Sequence, residues 1–143
     1  MKRFSFRLQR ILDIREQIRD ELRQELGRKN RERDHEIQVL ADLEQESLRG
    51  ALADGGTYSA GELVMFGEYR ARLKRLIKEQ REKVAAAIKA ADEVRDRYIE
   101  ASKDAKALEM LRQKKKAEHS ELVLKEEGAQ LDEVSVQRAP RSS

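Results

Sequence analysis

Eleven positions run from Leu73 to Leu108 at alternating steps of four and three: Leu73, Ile77, Gln80, Val84, Ala87, Ala91, Val94, Tyr98, Ala101, Ala105 and Leu108. Only Gln80 among them is polar. A 3-4 repeat held for about five heptads lays one apolar stripe along an α-helix, and a second helix has to cover it. The small residues Ala87, Ala91, Ala101 and Ala105 predict a close approach by that partner. Glu79 with Lys83 and Glu93 with Arg97 have the spacing of ion pairs one turn apart, worth about 0.3 kcal/mol each.

Composition removes the alternatives. Charged residues make up 41% of the 143, hydrophobic residues 38%, and the single proline is Pro140. A sandwich or barrel needs many turns and strands rich in β-branched and aromatic residues, and this chain has neither. So few apolar residues also speak against a compact enzyme core. Without cysteine there is no disulfide framework and no thiolate metal site, so a reducing compartment is permitted. The basic start is interrupted by Arg7, Gln9 and Arg10 and lacks the apolar core of a secretory signal. The longest apolar run, Val84 to Ile88, falls far short of the ~20 residues that span a bilayer. A net charge of +3 is weak support for a nucleic-acid partner.

One strong break interrupts the chain, Ala53-Asp54-Gly55-Gly56-Thr57. Tandem glycines stop a helix cheaply. Ser59-Ala60-Gly61-Glu62 then has the form of a capping box, with Tyr58 and Leu63 spaced as a hydrophobic staple. Before the break, Leu8, Ile11, Leu12, Ile14, Ile18, Leu22 and Leu26 form a stripe that fades over Gly27 to Glu36. It returns as Ile37, Leu40, Leu43, Leu48 and Leu52, and Ser5 is a candidate N-cap. The expected fold is all-α, a long two-helix antiparallel coiled-coil hairpin with unequal arms. It has helix 1 over about 5–52, a turn at 53–58, helix 2 over about 59–134, and a disordered tail over 135–143. A bend centred near residue 56 predicts partners whose numbers total about 112, with Leu8 near Asp104 and Leu43 near Tyr69. Residues 109–134 are then an unpaired overhang.

Catalytic motifs are missing. Gly56 to Gly61 has the glycine spacing of a phosphate loop, but Glu62-Leu63 stand where Lys and Ser/Thr are needed. His35 and His119 are far apart and have no metal-ligand spacing. A hairpin offers no concave pocket in which to separate the pKa values of two carboxylates. No enzyme activity, metal or cofactor is expected. Two basic clusters, Arg28 to Arg33 and Arg112 to Lys116, read either as solvated faces or as contact surfaces. The second would suit an acidic protein or an anionic membrane.

The ends carry a further pattern. The opening Phe4-Ser-Phe6-Arg7-Leu8-Gln9-Arg10-Ile11-Leu12 and the closing Leu131-Asp132-Glu133 resemble the flagellar export protein FliJ family. The resemblance implies a small cytoplasmic component of the type III export apparatus, peripheral at the cytoplasmic face of the inner membrane. Its coiled coil is like the γ-subunit stalk of rotary ATPases. The resemblance also implies three partners: a flagellar export ATPase ring, a membrane export gate protein and export chaperones. The paired ends would meet the ATPase through Phe4, Phe6, Arg7, Leu8, Leu131, Asp132 and Glu133, with Arg112 and Lys115 on the overhang. The gate contact would fall on Leu40, Leu43, Tyr69, Leu73, Leu76 and Gln80, although Leu73 also belongs to the seam. Leu43 and Ser47 stand where relatives can carry tyrosine. An injectisome stalk protein of the same architecture and a generic coiled-coil scaffold or nucleic-acid-binding helix are the alternatives. Neither nucleic acid nor a small-molecule substrate is expected.

Overall fold

The computed structural model describes residues 3–52 and 56–138. Among them there are two helices, α1 (Gln9–Leu52) and α2 (Ala60–Arg138), and no strand. The fold is an all-α helical hairpin. The chain divides into two compact units, Met1–Arg19 with Glu100–Ser143, and Asp20–Ile99. In each, a stretch of α1 packs antiparallel on a stretch of α2. Arg15 pairs with Asp104 at 3.5 Å in the first unit, and Arg97 with Glu25 at 3.6 Å in the second.

The start of α2 follows from its sequence. The Glu62 N–H donates to Ser59 Oγ at 3.2 Å, and the Ser59 N–H donates to the Glu62 carboxylate at 3.3 Å. This reciprocal cap is worth about 1 kcal/mol, and Glu62 also faces the positive end of the helix dipole. The expected staple has a different second member. Tyr58 stacks edge-on against Phe66, centroids 4.9 Å apart, while Leu63 stays exposed. The Gly-Gly break itself, 53–55, lies outside the described residues apart from Gly56. At the other end α2 runs to Arg138, past the expected boundary near 134. Residues 139–143 of the expected tail lie outside the described residues.

The α2 seam is buried as its spacing demands. Leu73, Gln80, Ala91 and Val94 are buried in the second unit, and Ala101 and Ala105 in the first, with the intervening seam positions half-buried. The α1 stripe needs correction. Leu12 is the best-buried large side chain, but Ile11, Ile14, Ile18, Ile37 and Leu48 are exposed. The α1 residues facing inward in the second unit are Leu22, Leu26, Lys29, Arg33, Glu36, Leu40, Leu43 and Ser47, again at steps of four and three. A two-helix contact covers one narrow line, so apolar residues a quarter-turn away stay in water. The faded stretch therefore belongs to the seam. The pairs Glu25 with Arg97 and Glu36 with Gln80 place Lys29 and Arg33 beside Ala87 and Ala91. Both are half-buried there, and their charged ends reach Glu32 at 3.3 Å and Asp34 at 3.0 Å. The anticipated Glu93 pair is not made, because Arg97 turns to Glu25.

The register also differs from the expected one. Partner numbers total 119 for Arg15 and Asp104 and 122 for Glu25 and Arg97, not 112. Asp104 therefore meets Arg15 instead of Leu8, and Tyr69 meets Glu46 instead of Leu43. The glycines mark where a helix can stop, but the cap at Ser59 sets where α2 starts. The pairing is centred near residue 60, so the first two turns of α2 extend past the end of α1. All residues from Gly56 to Arg72 are accordingly exposed.

Candidate functional site

Two regions hold the residues singled out from the sequence. In the first unit, residues 3–8 precede the helix; α1 opens at Gln9, not near Ser5, with the Gln9 N–H donating to the Phe6 carbonyl at 3.0 Å. Phe4, Phe6 and Leu8 are half-buried. The Phe4 ring lies 5.7 Å from that of His119 at 48°. Together with Leu111, Lys115, Glu118 and Leu122 of α2 this segment lines an open cleft of about 610 Å³. Residues up to Leu122 therefore border the N-terminal segment, and the unpaired overhang begins later than 109.

Arg112 occupies a seam position without disrupting it. Its Nε donates to Gln9 Oε1 at 2.9 Å, and Gln9 Nε2 donates in turn to Asp13 at 2.9 Å. Gln9 lies within the opening pattern, but no role for it is legible in the sequence, since its partner Arg112 is far away along the chain. Lys115 pairs with Glu118 at 3.5 Å on the rim of the cleft. Arg7 is exposed. Leu131, Asp132 and Glu133 are exposed as well, about 18 Å along α2 from His119, and are not brought together with the aromatic segment.

The second region, in the other unit, splits the six residues assigned to a gate contact. Leu73 and Gln80 are each 5% exposed and belong to the seam. Gln80 Nε2 donates to the Glu36 backbone carbonyl at 2.9 Å and to the Glu36 carboxylate, so the one polar residue of the α2 stripe is satisfied. Leu40 and Leu43 are half-buried at its edge. Tyr69 and Leu76 are exposed, 40% and 39%. The Tyr69 hydroxyl donates to the Glu46 carboxylate, and that acceptor, helped by burial, holds the phenol above its ordinary pKa. A shallow cleft of about 470 Å³ beside Tyr69 is lined by Met65, Glu68, Ala71, Arg72 and Arg75. Met65 and Arg72 were missed because the 3-4 stripe begins only at Leu73.

The chain matches the family described as Flagellar FliJ protein over residues 4–143. It belongs to the flagellar FliJ family. No curated protein and no solved structure matches it significantly. Membership makes it a component of the flagellar protein export apparatus, from a family of structural and adaptor proteins. The FliJ match covers both the aromatic N-terminal segment and Tyr69 with its surroundings. No described helix is long and apolar enough to cross a membrane.

Proposed function

We propose that this FliJ protein is a non-enzymatic coiled-coil adaptor of flagellar export. It engages the export ATPase ring through its first unit and the membrane export gate through its second, and it escorts export chaperones. It works at the cytoplasmic face of the inner membrane. The observation that carries the reading is the family match over 4–143, joined to an aromatic segment lining an open cleft. Phe4 and Phe6 set against His119 and Leu111 leave a surface that a partner can complete.

Burial refines the residue assignment. Leu73 and Gln80 hold the arms together, so the gate contact rests on exposed Tyr69 and Leu76, with Leu40 and Leu43 at its edge. Arg112 supports the first site by holding Gln9, while Lys115 on the cleft rim is open to a partner. Leu131, Asp132 and Glu133 offer a second, separate point of attachment. Two double variants test the division. Phe4→Ala with Phe6→Ala weakens capture of the export ATPase and leaves helicity nearly unchanged. Tyr69→Ala with Leu76→Ala spares the ATPase and weakens capture of the gate protein. Undiminished ATPase capture and full motility in the first variant would remove the reading.

A further inference from the structure

We infer that the protruding start of α2 is a membrane-surface anchor. Leu63, Val64, Met65 and Phe66 enter the apolar edge of an anionic bilayer, and the basic turns that follow lie against its phosphates.

These four residues are consecutive, and they are 57%, 60%, 69% and 43% exposed. Successive side chains on an α-helix are rotated by about 100°, so four in a row point through most of the circumference. A protein groove covers one face of a helix, roughly 100° wide. No single groove buries all four. A lipid interface does, because it is apolar in every direction around a helix end that dips into it. The phenol of Tyr58, edge-on to Phe66, adds an aromatic of the kind that settles at the headgroup level.

Charge selects the lipid. Between Glu68 and Glu79 the chain carries Arg70, Arg72, Lys74, Arg75 and Lys78 and no acidic residue. Arg72, Lys74, Arg75 and Lys78 make no ion pair among the described residues, so their charge is available to an anionic surface. Three carboxylates stand nearby, Glu62 held at the helix cap, Glu46 accepting from Tyr69, and Glu68, and the five basic residues outnumber them. Basic residues directly after an apolar helix start add electrostatic attraction to anionic lipid to the gain from inserting that start. The mode is superficial, since no described helix is long and apolar enough to span.

This inference does not need the gate contact, because pure lipid vesicles contain no protein. The test uses the full chain with vesicles of phosphatidylcholine alone and of phosphatidylcholine with about 30% phosphatidylglycerol. At ~150 mM salt the chain floats with the anionic vesicles and not with the neutral ones. Arg72→Gln with Arg75→Gln weakens binding about thirtyfold, from two basic contacts. Val64→Gln with Met65→Gln weakens it at least tenfold, on the order expected for lost insertion. Both pairs lie outside the seam, and circular dichroism checks that each variant keeps its helicity. The chain has no tryptophan, so Met65→Trp reports from one place, and its emission shifts to shorter wavelength on anionic vesicles. Absence of vesicle binding, equal binding to neutral vesicles, or an unshifted Met65→Trp emission each overturns the anchor.

Discussion

Val94→Asp tests the seam most sharply. Val94 is 2% exposed in the second unit, about four helical turns along α2 from Gln80's hydrogen bonds to Glu36 and about one turn from Arg97's pair with Glu25. Removing the valine forfeits about 2 kcal/mol of apolar burial. Placing an unpaired carboxylate there adds several kcal/mol more, unless the arms part or the acid stays protonated. The total, about 4 kcal/mol or above, is a large share of the roughly 5–15 kcal/mol that a domain has in hand. Val94→Ala removes only the burial and leaves a small cavity, at about 2 kcal/mol. Glu93→Ala, next in the chain but exposed, stays within about 0.5 kcal/mol. At about 3 °C per kcal/mol, thermal melts by circular dichroism separate the three easily. Burial raises the folded-state pKa of the new Asp above its unfolded value of about 3.9. The Val94→Asp deficit, measured against wild type at each pH, is therefore smallest below about pH 3.9 and grows as the pH rises through the folded value. Equal melting shifts for Val94→Asp and Glu93→Ala, or a deficit indifferent to pH, would refute the assignment of faces.

Other expectations are narrower. Spin labels at Glu25 and Arg97 sit closer together than labels at Glu25 and Lys89, because the latter are offset by about 12 Å along the axis; the reverse order would return the register to the symmetric bend. Tyr69 ionises later than an ordinary tyrosine, because the Glu46 carboxylate accepts a hydrogen bond from its protonated hydroxyl, so its contribution to stability is present below about pH 10 and is lost as pH rises through the raised folded value. Absorbance titration shows the late step vanishing in Tyr69→Phe and moving down in Glu46→Gln. Gln80→Leu extends the apolar stripe, so melting temperature holds or rises, while sedimentation detects more self-association once the polar tie to Glu36 no longer fixes the pairing. Fluorescence anisotropy at ~150 mM salt finds no sub-micromolar complex with duplex DNA or single-stranded RNA, since charges of both signs alternate and no stacking platform is present.

The α2 arm was legible because ten of its eleven stripe positions are apolar and every one of them turns inward or to the edge of the seam. The α1 arm misled for a physical reason. Its isoleucines Ile11, Ile14 and Ile18 have helical spacing but sit beside the seam, while Lys29, Arg33 and Glu36 sit on it. Hydropathy alone ranks these the wrong way round, because long charged side chains bury their stems and not their ends. The cap at Ser59 was readable from four residues, but the register was not, since it depends on where the cap falls relative to the end of α1. Among site residues, the exposed pair Tyr69 and Leu76 was separable in advance from seam residue Leu73 by its offset from the stripe. Gln80 stood on the stripe and in the gate assignment at once, and only its hydrogen bonds to Glu36 decide for the seam. The run Leu63 to Phe66 has no period at all, so a search for periodicity passes over it.

The polar line formed by Lys29, Arg33 and Glu36 has a mechanical consequence. Over this stretch α1 presents no fully apolar side chain to α2, and α2 answers largely with alanine. Little apolar surface is lost to water if the arms separate here, and the charged ends already lie at the rim. Backbone amides of this middle stretch will exchange with solvent sooner than those around Val94. A partner that pries the arms apart meets least resistance there, so unzipping of the second unit begins from its interior.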